Sequence, residues 1–338
     1  MKNLFKSLAV SAALTLSAFA TASDKPTLIG WSHFVTWESL GVAQSEGIVD
    51  KYNEKYGTNV EFKYIGDYID SITLYTDRDL AGVATTTMDI LAFAGVGKRH
   101  SEVLRVTDYS NSADAVMIKG YSDLNDALDN GATVNLIEFS VSHYLLASCV
   151  EAVGGDIDDL VLENAKTDAV IPSTLKAKSQ FVGVTWNPLL ETVKGISGAK
   201  VACDSSSIKG EILDTVVVGD EVTAAEKKTI LASINEVLSL MAKRDGETLK
   251  AVAEQAGTST KSINMMLDGV EIFDTTAKEA KFVNDSANLR RIMDKVTTFS
   301  FNAGVWDAVD SKDELGIKFA DGSVLGDPNN IVLTFPAR

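Results

Sequence analysis

The sequence predicts an α/β fold of two lobes joined by two hinge strands. Three features carry that prediction. Short apolar runs alternate with helical stretches from Pro26 to about Ala113, and the same alternation restarts beyond Ala113. The last third is mainly helical and has no sheet of its own to cover, so it must return to the first sheet.

The N-terminus reads as an export signal. Lys2 and Lys6 give a positive start, residues 8–20 form an apolar stretch of 13 residues, and Ala20-Thr21-Ala22 supplies a small-x-small pattern. Cleavage is expected after Ala22, removing residues 1–22 and leaving the mature chain in the periplasm. So short a stretch does not span a bilayer as a helix. Polar Ser23-Asp24-Lys25-Pro26 follows at once, against an uncleaved anchor, and no cysteine stands near the cleavage point to carry a lipid.

In order, residues 27–31 read as a strand, 39–56 as helical, 57–59 as a turn, and Val60, Phe62 and Tyr64 alternate as a half-buried strand. A helix, a strand at 82–85, a helix from Asp89 and a strand at 102–107 follow. This pattern gives a mostly parallel sheet with helices on both faces. In the restarted pattern, strands are expected at 115–118, 133–138, 160–162, 181–185 and 212–218. Helices are expected at 122–128, 141–153 and 168–176. Two later helices each carry an apolar face: Ile230, Leu231, Ile234, Val237, Leu238 and Met241 in one, and Leu289, Ile292, Met293, Val296 and Phe299 in the other. Short strands at 316–319, 323–326 and 331–333 finish the chain. Lobe I is therefore expected from 23–112 with 219–338, and lobe II from 113–218, the layout of a cleft-closing binding protein.

Composition narrows the function classes. The chain is 45% hydrophobic and 23% charged, as a globular protein should be. Its net charge of −16 becomes −18 once Lys2 and Lys6 are removed with the signal. Such an acidic chain repels phosphate backbones and anionic lipid, so no nucleic-acid or membrane-surface partner is expected. Cys149 and Cys203 stand in a compartment that permits a disulfide, and a bridge or two buried thiols would both satisfy the count. His33, His100 and His143 are far apart, and neither cysteine belongs to a metal-spaced cluster, so no metal is expected. No glycine-rich dinucleotide or phosphate loop calls for a cofactor. No Ser-His-Asp or Cys-His spacing marks catalytic residues, so no enzyme is expected.

Five segments together resemble one family: Ile29-Gly30-Trp31-Ser32, Asp108-Tyr109-Ser110-Asn111, the run 134–146, Val184-Thr185-Trp186-Asn187-Pro188-Leu189-Leu190, and Phe319-Ala320-Asp321-Gly322. They resemble the substrate-binding proteins of nitrate/sulfonate/taurine-type ABC transporters, and within these the branch associated with urea carboxylase, read as importing guanidine. The resemblance covers essentially the whole mature chain. It implies a periplasmic binding protein-like fold, a small ligand held between the lobes, and an inner-membrane ABC permease as partner. A monomer is expected.

Ligands of open α/β sheets bind beyond the carboxyl ends of the strands. In the first lobe those ends offer Trp31, Trp37, Asp67, Tyr68, Asp89 and Asp108; in the second, Glu138, Ser140 and Trp186. Asp114 and Asp214 lie on or beside the hinge strands. Carboxylates and aromatic rings dominate, and no arginine or lysine stands at a strand end. Guanidinium is planar, always charged and donor-only, and is best held by carboxylates in its plane and rings on its faces. The candidate contacts are Trp31, Trp37, Asp67, Tyr68, Asp89, Glu138, Ser140, Ser142, Trp186 and Asp214. Simpler roles compete: Asp67 and Asp89 as helix N-caps, Asp108 as a turn cap, the tryptophans as core. Ser140 and Ser142 open a helix whose free N–H groups would suit an anion, so an alkanesulfonate, taurine or nitrate is the alternative ligand. A thiamine-pyrimidine enzyme of this fold would carry a cysteine-rich segment, and none is present.

Overall fold

The computed structural model describes residues 25–306 and 308–338, so the export signal expected at residues 1–22 lies outside the described residues. The strands are β1 (Thr27–Trp31), β2 (Val60–Tyr64), β3 (Gly82–Thr86), β4 (Ser101–Ser110), β5 (Asp114–Lys119), β6 (Thr133–Leu136) and β7 (Val161–Asn164). They continue with β8 (Phe181–Trp186), β9 (Lys200–Asp204), β10 (Leu213–Val218), β11 (Val270–Ile272), β12 (Gly316–Lys318), β13 (Val324–Leu325) and β14 (Ile331–Thr334). They form a nine-stranded sheet in the order β13-β12-β14-β4-β10-β3-β1-β2, with β11 also on β4, and a five-stranded sheet in the order β7-β6-β8-β5-β9. Each sheet is the base of one α/β lobe.

The strand at 213–218, read from sequence as the last of the second lobe, pairs instead with β3 and β4 in the first sheet, antiparallel to both. Every residue of β10 and of β3 is buried. A continuous apolar run such as Val216-Val217-Val218 identifies a strand covered on both faces, but not which sheet it enters. Gly82 permits the close approach: a Cβ there would lie 2.7 Å from the Val217 carbonyl oxygen. Because β10 returns against its neighbours, the first sheet is mixed rather than mostly parallel.

The helical region expected at 39–56 is two helices, Glu38–Ser45 and Ile48–Tyr56, divided at Gly47 with φ +70°. The long helix Ala224–Ala242 begins in a capping box between Thr223 and Glu226 and buries Ile230, Ile234, Val237, Leu238 and Met241. Helix Ser286–Asn302 buries Leu289, Ile292, Met293 and Val296. Between them, helices Gly246–Gln255, Thr260–Asp268 and Thr276–Val283 and strand β11 occupy a stretch whose periodicity was not resolved in the sequence. On β4, buried Arg105 pairs with buried Glu279 at 2.7 Å, and Glu279 also accepts the Val106 N–H. This pair is fully partnered, as a buried ion pair must be.

The chain crosses between sheets twice, at 111–113 and at 205–212. Ser205 joins the crossings: its Oγ lies 2.7 Å from Ser110 Oγ and accepts the Ser112 N–H at 2.8 Å. Within the second lobe a Cys149–Cys203 disulfide ties helix Val141–Ala152 to β9, across a Cα–Cα distance of 6.1 Å. The count of two cysteines is thus a bridge. Strand β9, which carries Cys203 at the sheet edge, has no place in the sequence reading: Lys200 to Asp204 has only a three-residue apolar run, Val201-Ala202-Cys203, and none of its residues is fully buried.

Candidate ligand-binding site

The carboxyl ends of β3 and β8 and the starts of β5 and β10 converge between the two sheets. They enclose a cavity of about 20 Å³ lined by Phe34, Trp37, Tyr68, Thr86, Asp114, Val141, Trp186, Ile212 and Asp214. In that measure a single water needs about 10–15 Å³, so the space suits a molecule of a few heavy atoms. Phe34 and Trp37 come from the loop after β1, and Tyr68 opens helix Tyr68–Thr76 after β2. Tyr68 stacks on Trp37 at 5.6 Å and meets Trp186 edge-on at 5.8 Å, so three aromatic rings from both lobes form one wall.

Four buried aspartates surround this space. Asp89 accepts from the Tyr68 hydroxyl at 2.6 Å and the Thr86 hydroxyl at 2.9 Å. Asp108 accepts from Thr36 at 2.5 Å and Thr107 at 3.0 Å. Asp114 accepts from Ser110 at 2.5 Å. Asp214 stands opposite Asp108 on one side of β10 and opposite Thr86 on the other. Asp89 Oδ1, Asp108 Oδ1 and Asp214 Oδ2 are buried and receive no hydrogen bond from any protein N–H or hydroxyl donor.

Burial dominates their ionisation. It raises Asp89 and Asp108 to about 6 and Asp114 to about 7, against the donors that pull each one down. Asp214 is pushed well above the usual carboxylate range by burial first, then by Asp108 and Asp114. No lysine, arginine or histidine lines the cavity. Arg105 exerts a weak pull on Asp108, but its guanidinium is engaged by Glu279 and by the carbonyls of Val106 and Phe273.

Of the residues proposed from sequence, Trp37, Tyr68, Trp186 and Asp214 line the cavity, and Asp89 stands behind Tyr68. Asp89 is not a helix cap: Thr86 caps helix Thr87–Ile90 and accepts the Asp89 N–H. The other five lie off the lining. Asp67 is half-buried and caps its helix, accepting from the Asp70 N–H at 3.0 Å. Trp31 packs outside the cavity against Tyr64, with ring centroids 5.0 Å apart. Glu138 sits half-buried in the turn before helix Val141–Ala152, where its N–H donates to Asn164. Ser140 caps that helix, and Ser142 is buried beside Val141.

Sequence reasoning flagged Asp108, Asp114 and the stretch 31–37 that holds Phe34 without assigning Asp108, Asp114 or Phe34 as contacts, and passed over Thr86, Val141 and Ile212. A usable signal existed for Asp114: a carboxylate at the head of the apolar strand Ala115-Val116-Met117-Ile118 is costly there without a partner. The hydrophobic lining residues carry no such mark.

No protein-family model matches this sequence, and no curated protein matches it. Solved structures do. The chain is similar to the periplasmic aliphatic sulphonate binding protein SsuA of Escherichia coli, at 16% identity and TM-score 0.61 over 81% of this chain and 94% of that one. It is also similar to the alkanesulfonate-binding protein SsuA of Xanthomonas axonopodis pv. citri bound to MOPS, at 10% identity and TM-score 0.64 over 85% and 96%. A third is the Candida albicans CA3427 gene product, described as having the generic periplasmic binding protein structural fold, at 13% identity and TM-score 0.59 over 83% and 90%. At these identities the likeness establishes the fold, which is that of the periplasmic binding proteins.

Proposed function

We propose that this protein is the periplasmic solute-binding component of an ABC importer and that it carries a small nitrogenous cation of the guanidinium type. The observation that supports the reading is the set of three buried carboxylate oxygens without a hydrogen-bond partner, that of Asp214 in the lining and those of Asp89 and Asp108 behind it, at a cavity with no basic side chain among its lining residues. A donor-only, planar cation supplies what these oxygens lack, and the rings of Trp37, Tyr68 and Trp186 suit its faces. Asp114 and Asp214 would touch it directly, with Asp89 and Asp108 behind them. The lobes would part at the crossings, 111–113 and 205–212, to admit it, and a permease would recognise the closed form.

An alkanesulfonate is the second reading, favoured by the names of the sulfonate-binding structures and by the unpartnered Ser142 hydroxyl near a helix start. Three arguments weigh against it. The backbone N–H of Val141, at the start of that helix, already lowers the Asp89 pKa. The aspartates, where ionised, repel an anion, and where protonated they still leave no cationic side chain to hold one. A ligand the size of MOPS exceeds the cavity. Calorimetric titration of the mature protein with guanidinium, urea, taurine and nitrate separates the readings. Sub-millimolar binding of guanidinium, with none of taurine or nitrate, supports the first; the reverse overturns it.

A further inference from the structure

Asp108 on β4 and Asp214 on β10 face each other in register on adjacent antiparallel strands, both buried. That register sets the two carboxyl-bearing residues side by side on neighbouring strands, and burial first, then Asp108, pushes Asp214 well above the usual carboxylate range. Two like charges this close in a dry site cannot both be carried without a counter-ion, so the pair shares a proton. The groups around it offer no alternative neutralisation. Asp89 and Asp114 add negative charge, Thr36 and Thr107 only donate hydrogen bonds, and Arg105 is engaged elsewhere.

We propose that this pair selects ligands by charge. It holds one proton until a cation seats in the cavity and then releases that proton to solvent, so protein-bound H⁺ is exchanged for the bound cation. A neutral molecule of the same shape brings no charge to drive the exchange and leaves the proton in place. The inference rests on the cation reading of the cavity and adds the residues that would distinguish guanidinium from urea. Charge balance is conserved: one cation enters, one proton leaves, and the net charge inside the cavity is unchanged.

Titration calorimetry of the wild-type mature protein with guanidinium chloride, in buffers of differing ionisation enthalpy, counts the protons released. About one proton per cation is expected near neutral pH, with affinity rising up to about tenfold per pH unit while the pair is protonated. Infrared difference spectra should show loss of a protonated-carboxyl band on guanidinium addition, and Asp214→Asn should lack that loss. Guanidinium binding with no proton release, or a protonated-carboxyl loss that persists in full in Asp214→Asn, overturns this inference while leaving the cation reading intact. Urea bound with the same proton release overturns the charge selection. Absence of any cation binding removes the cation reading itself, and this inference with it.

Discussion

The Tyr68 hydroxyl donates to Asp89 Oδ2 at 2.6 Å while the ring of the same residue stacks on Trp37. One side chain thus builds the aromatic wall and holds the carboxylate behind it. Tyr68→Phe keeps the wall and removes the donor. At neutral pH this should cost the ligand-free protein about 1–3 kcal/mol of stability, the penalty for under-satisfying a buried polar group. Tyr68→Ala, which also removes the wall, should weaken guanidinium binding further. Urea unfolding and calorimetry measure the two effects separately.

Asp214→Asn retains shape and removes a carboxyl group that could give up its proton to a seated cation. Loss of one partner from a buried, hydrogen-bonded charge pair costs about 2–5 kcal/mol, so guanidinium affinity should fall at least about thirtyfold. Because the shared proton already neutralises Asp214 in the ligand-free protein, the ligand-free variant should melt close to wild type at neutral pH. Paired calorimetry and thermal melts check both outcomes.

Stability should depend on pH in an unusual direction. Asp89, Asp108, Asp114 and Asp214 all bind protons more tightly in the native chain than in the unfolded one. Half-buried Asp168, raised to about 6 mainly by burial, acts in the same sense. Stability from such groups is complete below about pH 4 and is lost as pH rises through their native values, about 6 for Asp89, Asp108 and Asp168 and about 7 for Asp114. His143, lowered by burial, works the opposite way, but it is one imidazole against several carboxyls. The melting temperature of the ligand-free protein should therefore fall from about pH 5 to about pH 8, and saturating guanidinium should flatten that fall.

The Cys149–Cys203 bridge closes a sequence separation of 54 residues inside the second lobe. Loop-closure entropy places its contribution at about 4 kcal/mol, an upper figure because reduced chains retain structure. Replacing both cysteines with alanine should lower the unfolding midpoint of that lobe. The bridge is two helical turns from Val141, about 12 Å along the helix, so guanidinium affinity should change little. Denaturant unfolding monitored beside calorimetry checks the separation.

Much of the fold is legible in the residues because strand and helix periods are local. Residues 27–31, 60–64 and the faces of the two long helices stand where alternation and the helical repeat place them. The membership of β10 is a long-range pairing, and Val216-Val217-Val218 would be equally content at the centre of either sheet. The site divides along the same line. Trp37, Tyr68, Trp186 and Asp214 follow from position at strand ends. Asp67 and Ser140 share those positions yet turn their oxygens to their own helix N-termini, a competition between cap and ligand that local sequence does not decide. Asp108 gains its carboxyl neighbour only when β4 and β10 pair it with Asp214, whereas Asp114 already stands out at the head of an apolar strand.

A crystal structure of the mature protein with bound guanidinium tests the central claim most directly. Planar density between the rings of Trp37 and Trp186, with Asp114 and Asp214 oxygens in its plane, is the expected result. Density for an anion in that cavity, or guanidinium bound only elsewhere, would contradict it.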